Sequence, residues 1–287
     1  MLMEYTHAIL ANIEQTAASG DMSKAMTDLR ALSLDDFGLT LLYMPHPRYP
    51  VLSALLPRMA SKEVQNNWTG SNGEILLKQS LNFVRSVRTQ YEALTGNPLS
   101  TARILDYGCG YGRLLRLMMK YADKNKLHGC DPWDESIKIC QEDGIDCNLK
   151  ITNYLPQTLP YENGSLDLVY AFSVFTHTSL RATQSALDAI RPLLSHNGLL
   201  VITIRPIEYW NMDERYSSEL DELRRQHQEN GFAYRPHKRE AVDGDVTYGD
   251  TSMTFEFLKS ITPRYEIAGY DRSLDDPFQT LIYLKPV

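Results

Sequence analysis

Residues 102–115 read A-R-I-L-D-Y-G-C-G-Y-G-R-L-L, and this stretch decides the fold of the 287-residue chain. A short apolar run ends at Asp106, and three glycines follow at alternate positions, Gly108, Gly110 and Gly112, before an apolar helical pattern begins. The pattern predicts a strand, a tight loop and a helix, because glycines let the backbone turn sharply and approach a ligand closely. The free N–H groups and the positive dipole end of the following helix favour a nucleotide-type ligand at this loop.

The glycine spacing differs from the dinucleotide fingerprint G-x-G-x-x-G, which requires a glycine three positions after Gly110, where this chain has Arg113. The pattern is D-x-G-x-G-x-G, and the carboxylate before the glycines suits a cationic ligand and repels a pyrophosphate. This stretch resembles motif I of the class I S-adenosylmethionine (SAM) dependent methyltransferases, in which the loop wraps the amino-acid end of SAM. The resemblance implies that Asp106 helps to hold the SAM ammonium group. It also implies that Tyr107 and the three glycines line the cofactor site.

Composition and charge exclude several classes of function. The chain is 43% hydrophobic and has a net charge of −7 at pH 7, so it can build a core and is a poor candidate for binding nucleic acid or an anionic membrane. No apolar run in the sequence reaches the roughly 18–20 residues of a membrane span. The four cysteines show no C-x-x-C spacing. We therefore expect a cytoplasmic protein with reduced cysteines and no metal site.

Residues 102–205 alternate strand and helix patterns, as a parallel α/β sheet requires. Two later strand patterns, at 265–270 and 279–284, have no helix between them and predict a hairpin. The class I methyltransferase sheet ends in this way, with its last strand antiparallel. We therefore predict a three-layer Rossmann-like fold with a seven-strand sheet, in a methyltransferase domain that covers residues 97–287.

Two segments match no general motif of this class, and each leaves two interpretations open. Residues 1–96 predict a helical extension, and within it residues 66–74 predict a turn in which Trp68 is either a lid over the ligand or a packed surface residue. Residues 208–254 predict an insertion after the fifth strand, with a helix over 213–230 and then a polar loop. This insertion either forms a substrate cap over the carboxyl ends of the strands or is a solvated surface element.

An acid also ends the second predicted strand. Asp131 lies 19 positions after Gly112, where a carboxylate accepts both vicinal hydroxyls of a nucleotide ribose. The alternative role of Asp131 is a helix cap. In the resembling family the residue after this acid packs on adenine, which implies Pro132 or Trp133 here. No acid follows the third strand, so Asn153 is the nearest candidate for the contact with the adenine amino group.

The apolar segment 166–172 predicts a central strand, and in the resembling family the tip of this strand flanks the reactive methyl group. Phe172 and Ser173 are therefore expected in the cofactor site. Methyl transfer from a sulfonium is an in-line displacement that needs a positioned nucleophile and excluded water. An oxygen nucleophile also loses a proton, and His177 is the candidate base near the strand tip. The alternative for His177 is a helix-capping or hydrogen-bonding residue.

Three functions are compatible with these patterns. The first is transfer of a methyl group from SAM to a small molecule or a saccharide, with oxygen as the expected acceptor atom. The second is a non-catalytic SAM-binding or scaffold protein of the same fold. The third is an NAD-dependent oxidoreductase, which Arg113 and the terminal hairpin both disfavour. No N-P-P-Y or D-P-P-Y motif follows the fourth strand, and no Pro-Cys pair exists, so we do not expect a DNA methyltransferase.

Overall fold

A seven-stranded sheet organises the fold of the computed structural model, which describes residues 1–212 and 214–287. The described residues form nine strands in chain order: β1 (Ile104–Tyr107), β2 (Leu127–Asp131), β3 (Asn148–Ile151), β4 (Leu166–Ala171), β5 (Leu194–Ile204), β6 (Phe232–Pro236), β7 (Gly249–Met253), β8 (Tyr265–Arg272) and β9 (Thr280–Pro286). The large sheet has the order β3-β2-β1-β4-β5-β9-β8, and β6 and β7 form a separate antiparallel pair.

The strand order places the ligand-binding side of the sheet. Strands β1 to β5 are all parallel, so their carboxyl ends share one edge, which we call the carboxyl edge. From β1 the chain adds β2 and β3 on one side, and it then adds β4 and β5 on the other side. The strand order therefore has a switch point between β1 and β4, and α/β sheets bind ligands outside such a point. Strand β9 is antiparallel to both β5 and β8. The predicted Rossmann-like fold, with seven strands and the last one antiparallel, is confirmed.

Helices cover both faces of the sheet. The described helices are α1 (Glu4–Ala18), α2 (Met22–Ala31), α3 (Leu34–Leu42), α4 (Pro50–Leu55), α5 (Lys62–Thr69), α6 (Gly73–Thr95), α7 (Arg113–Met118), α8 (Asp134–Glu142), α9 (Leu180–Ile190), α10 (Leu220–Asn230) and α11 (Phe255–Ile261). None of these described helices combines the length and the apolar character that crossing a membrane requires.

The helices of the N-terminal segment share a hydrophobic core with the sheet. Leu10 of α1, Phe37 of α3 and Val84 of α6 belong to the same buried cluster as Ile104 of β1 and Leu168 of β4. The alternate residues of these strands pack on the opposite face with α9 and α11. Because successive side chains of a strand point to opposite faces, near-continuous apolar strands are expected in a sheet covered on both sides.

The expected turn at residues 66–74 is mostly helical, so this part of the prediction is wrong. Helix α5 includes Trp68 and ends at Gly70, whose φ of 73° is left-handed, and α6 begins at Gly73. The Gln65 side chain donates to the Ala60 carbonyl (2.7 Å) and accepts from the Gly73 N–H (3.0 Å). The glycines that suggested a turn therefore separate two helices, and one side chain ties the two helices together.

The insertion also differs from its prediction. The expected helix over 213–230 is shorter, since α10 covers only Leu220–Asn230; residue 213 lies outside the described residues. The expected polar loop contains the strands β6 and β7. Strand β7 is fully buried although it reads G-D-T-S-M, so its composition carried no strand signal.

Candidate active site

The loop after β1 has its three glycines in the left-handed region. Their φ angles are 75° at Gly108, 52° at Gly110 and 77° at Gly112. A Cβ at Gly108 would lie 2.5 Å from Val174 Cγ2, and one at Gly112 would lie 2.2 Å from Ile145 Cδ1. Both the backbone angle and the close packing therefore exclude a side chain at these two positions.

Asp131 fastens this loop to the second strand. Its Oδ2 accepts a hydrogen bond from the Gly110 N–H (2.9 Å), and its Oδ1 accepts one from the Trp133 N–H (2.9 Å) at the start of α8. Burial raises the pKa of the Asp131 carboxyl, and these backbone N–H groups oppose the rise. A carboxylate has about four acceptor sites, so the position at the strand tip leaves capacity for ligand hydroxyls. The bond to Trp133 also matches the alternative role of a helix cap.

Asp106 is a buried acid, and none of the described residues forms an ion pair with it. It is 2% exposed, and burial raises the pKa of its carboxyl to about 8, although the nearby Tyr170 hydroxyl and the charge on Arg113 oppose the rise. Its neighbour across the β1–β4 ladder is Tyr170. A carboxyl that is held largely neutral by burial becomes charged when a cation is placed beside it. This environment fits the ammonium group that the sequence pattern predicted as its partner.

Trp68 of the N-terminal segment covers the glycine loop. Its ring stacks on Trp133 with 4.7 Å between the ring centroids and 10° between the planes, and its edge meets Tyr111 at 6.4 Å. A Cβ on Gly110 would lie 3.3 Å from Trp68 Cδ1. Trp133 is still 42% exposed. The structure thus places an exposed aromatic face next to Asp131, where the sequence predicted a wall for adenine.

The remaining predicted cofactor residues have different surroundings. Tyr107 is buried in the core that β1 forms with α9 and α11. Pro132 is half-buried between Asp131 and Trp133. Asn153 is exposed just beyond β3. The backbone joins the end of β3 to that of β2, since the Thr152 N–H donates to the Asp131 carbonyl (3.1 Å).

Four buried polar side-chain atoms have no hydrogen-bond partner among residues 1–212 and 214–287. They are the hydroxyl of Tyr111, Thr152 Oγ1, the hydroxyl of Tyr170 and Gln279 Oε1. Tyr111 belongs to the glycine loop, Thr152 follows β3, and Gln279 precedes β9, so these three lie at the carboxyl edge. Buried polar atoms are normally paired, and a polar ligand at this edge would pair them.

Ser173 has a strained backbone at the tip of β4. Its φ is 59°, and such a conformation of a non-glycine residue costs about 1–3 kcal/mol and concentrates at functional sites. The Ser173 N–H donates to Thr203 Oγ1 (2.8 Å), and its Oγ accepts from Gln279 Nε2 (3.0 Å). Beside it, the Arg113 guanidinium lies 4.9 Å from the centre of the Phe172 ring. The tip is therefore a fixed, polar point next to the glycine loop.

His177 has both ring nitrogens engaged. Its Nδ1 donates to the Gly249 carbonyl (2.8 Å), and its Nε2 accepts from Arg205 Nη2 (2.9 Å). Burial lowers the pKa of His177 and the charge on Arg205 lowers it further, while the Asp250 carboxylate, 3.3 Å from Nδ1, opposes the decrease. This is the geometry of a neutral, hydrogen-bonded histidine, which is the alternative that the sequence left open. Its role as a base stays a prediction.

The residues around Asp250 were missed by sequence reasoning. This carboxylate is 1% exposed and accepts hydrogen bonds from Arg205 Nη1 (2.6 Å), His237 Nε2 (2.7 Å), the Tyr209 hydroxyl (2.9 Å) and the Tyr216 hydroxyl. Burial alone would raise the pKa of Asp250, but the nearby His177 ring (Nδ1 to Oδ1, 3.3 Å), the Arg205 charge and the hydroxyl donors hold it far below its usual range. The cluster joins the insertion to the end of β5. Its residues come from separate segments, and no local spacing indicated it.

The sheet order, the glycine loop and the two acids at adjacent strand tips have the arrangement of the Rossmann-like methyltransferase fold. Residues 105–202 match the family described as "Methyltransferase domain". The chain is also 24% identical over 209 residues to the uncharacterized protein RP028 of Rickettsia prowazekii, which covers 64% of this chain and 84% of that protein.

Two solved structures show a similar fold. The PH0226 protein from Pyrococcus horikoshii has a TM-score of 0.53 and 12% identity, over 79% of this chain and 100% of that chain. The magnesium protoporphyrin IX methyltransferase ChlM from Synechocystis, solved with bound SAH, has a TM-score of 0.50 and 14% identity, over 76% of this chain and 90% of that chain. Because both sequence identities are below 15%, the similarity shows a shared fold alone.

Proposed function

We propose that the protein transfers the methyl group of SAM to an oxygen atom of a small-molecule or saccharide acceptor. The observation that carries the proposal is the pair of buried acids, Asp106 and Asp131, on either side of a loop of left-handed glycines. In this proposal Asp106 binds the ammonium group and Asp131 the ribose hydroxyls. The adenine packs on Trp133, and the reactive methyl group lies beside the Phe172–Ser173 tip.

The chemistry that the chain must supply is mainly positioning. The methyl group of SAM is bonded to a sulfonium, from which a neutral thioether leaves readily. A nucleophile that is held in line with the C–S bond and shielded from water therefore reacts without further activation of the methyl donor. The Ser173 tip is held rigidly by Thr203 and Gln279, and helix α6 adjoins it through the contact of Phe83 with Phe172. A hydroxyl acceptor additionally requires a proton acceptor close to this point.

Asp131→Ala is expected to weaken SAM binding by about 1–3 kcal/mol, because the ribose hydroxyls lose a buried acceptor. Isothermal calorimetry measures the affinity. Asp134→Ala is the matched control, since this exposed acid is the first residue of α8 and lies only three residues after Asp131. Thermal unfolding of both variants checks that the loop still folds without the Gly110 bond. An unchanged affinity of the Asp131 variant would show that the ribose assignment is wrong.

SAM binding is expected to release close to one proton at pH 7. Burial raises the pKa of Asp106 to about 8, so most copies are protonated before the cationic ligand arrives and ionised afterwards. Calorimetry in two buffers of different ionisation enthalpy measures the released protons. The Asp106→Asn variant should bind more weakly and release none of this proton, while Asp134→Ala should behave like the wild type. Equal release by wild type and Asp106→Asn would refute the assignment.

Methyl transfer itself is tested with SAM labelled at its methyl group. The protein is incubated with the small-molecule fraction and, separately, with the macromolecular fraction of a bacterial extract. We expect label in the small-molecule fraction. Label only in macromolecules would contradict the acceptor class, and SAM binding without any transfer would favour the non-catalytic alternative.

A further inference from the structure

A cavity of about 290 Å³ lies between α6 and the loop that joins β8 to β9. We call it the hairpin cavity. It reaches the tip of β4 at Phe172, and its apolar side also includes Phe83 and Leu281. Side chains that donate and accept hydrogen bonds, among them Asn82 and Ser86, form the other sides. The volume is at the small end of the range for ligand sites, so a bound molecule would be small.

Gln279 presents an unpaired acceptor at this cavity. The residue is 8% exposed, and its Nε2 is fixed by the hydrogen bond to Ser173 Oγ (3.0 Å). Its Oε1 is buried and has no partner within the described ranges. A buried amide oxygen is normally satisfied, so a donor such as a ligand hydroxyl or amine is missing here.

Asp276 lines the same cavity with one oxygen available. Its Oδ2 accepts from Gln79 Nε2 (2.5 Å), and Gln79 Oε1 accepts from Arg113 Nη1 (2.9 Å). No hydrogen bond to Oδ1 comes from any residue that the structure describes. Gln79 therefore orients the carboxylate, and through Arg113 it connects that carboxylate to the Phe172 ring at the strand tip.

We propose that the hairpin cavity is the acceptor site, that it takes a small molecule with several hydroxyl groups, and that Asp276 accepts the proton of the hydroxyl that is methylated. This inference rests on the proposed function. In the reaction, the acceptor oxygen forms a bond to the methyl carbon and its proton passes to Asp276. The C–S bond breaks, its electron pair stays on sulfur, and the products are the methyl ether and S-adenosylhomocysteine (SAH). Water then removes the proton from Asp276.

The surroundings of Asp276 suit a base. Burial raises the pKa of its carboxyl to about 6, while the Gln79 hydrogen bond and the charges on Arg113 of α7 and Arg205, just after β5, oppose the rise. Two further groups of the cavity wall carry charge, Asp271 and Arg272 on β8, and α6 contributes Arg85. A base that titrates just below the working pH is ionised at neutrality and still accepts a proton readily.

Kinetics with labelled SAM and the small-molecule fraction of a bacterial extract test the base. We expect wild-type turnover to decrease below pH 6, where Asp276 becomes protonated. The Asp276→Asn variant should turn over about 100-fold or more slowly, and its turnover should no longer decrease below pH 6. SAM affinity should stay within two-fold. Asp188→Asn, an exposed acid of α9 that pairs with Arg264 and does not line the cavity, should match the wild type. Wild-type turnover by Asp276→Asn, or a parallel loss of SAM affinity, would overturn the assignment.

Binding of model polyols tests the cavity without turnover. Saturation-transfer NMR would use glucose, galactose, mannose and myo-inositol at millimolar concentration in the presence of SAH. We expect transfer to at least one of them from the wild type and none from Thr89→Trp, which fills the cavity away from the glycine loop. No transfer to any polyol, or equal transfer with Thr89→Trp, would refute the site. Failure of the wild type to bind SAM would instead refute the proposed function.

Discussion

An Asp250→Asn variant is expected to unfold about 3–5 kcal/mol more easily than the wild-type protein at pH 7, as when one partner of a buried ion pair is removed. The neutral amide would leave the buried Arg205 guanidinium without its counter-ion. It would also place an NH₂ group, which can only donate, next to side chains that donate hydrogen bonds to Asp250. Tyr209, Tyr216 and His237 would lose the shared acceptor. Urea denaturation measures the difference in the free energy of unfolding. Asp221→Asn, an exposed acid on α10, is the control and should change stability by less than about 0.5 kcal/mol.

The effect of Asp250 should depend on pH in a defined direction. Its pKa in the folded protein lies far below the unfolded value of about 3.9, so the ionised carboxylate contributes its full stabilisation above that value. The contribution is lost as the pH falls below about 4, and the difference between wild type and Asp250→Asn should shrink there. A difference that stays constant from pH 7 to pH 3 would contradict this account.

Gly112→Ala is expected to destabilise the protein by about 2–5 kcal/mol. About 1–2 kcal/mol comes from the left-handed backbone, and about 1–3 kcal/mol comes from overpacking against Ile145 and Cys140, which lie 2.2 and 3.0 Å from the new Cβ. Gly164→Ala is the matched control, since its φ is 66° and nothing lies within 4 Å of its Cβ position. Urea denaturation should give only the backbone cost for the control. Equal decreases in the free energy of unfolding of the two variants would show that the residues packed around Gly112 move aside without an energetic cost.

The parts of the fold that were predicted correctly have local signals. Alternating strand and helix patterns indicated the parallel sheet, and the terminal pair of strand patterns indicated the antiparallel β9. The D-x-G-x-G-x-G pattern located the loop, because a left-handed backbone at Gly108 and Gly112 admits few other residues. These features depend on residues that are neighbours in the sequence, and periodicity detects them.

The missed features depend on distant partners or on polar residues in buried strands. Strand β7 carries Asp250 and hydroxyl side chains in the core, so its polar composition suggested a loop. His177 was predicted as a candidate base, but its bonding partners Gly249 and Arg205 are 72 and 28 residues away in sequence. Asp276 lies in the connection between two strands, and only the packing of α6 against that connection brings Gln79 to it.

The stacking of Trp68 on Trp133 has a kinetic consequence for the cofactor. The ring centroids are 4.7 Å apart, which is the separation of two rings in contact, so no third ring fits between them. An adenine that packs on the face of Trp133 that Trp68 covers must therefore displace Trp68, and α5 must shift with it, whereas packing on the exposed face leaves the stack in place. SAM association that requires this opening is slower than the diffusion limit. When Trp68 stacks again, it also slows the release of SAH. If adenine uses the covered face, the opening of the N-terminal segment would limit the rate of the proposed methyl transfer, independently of how fast the methyl group moves.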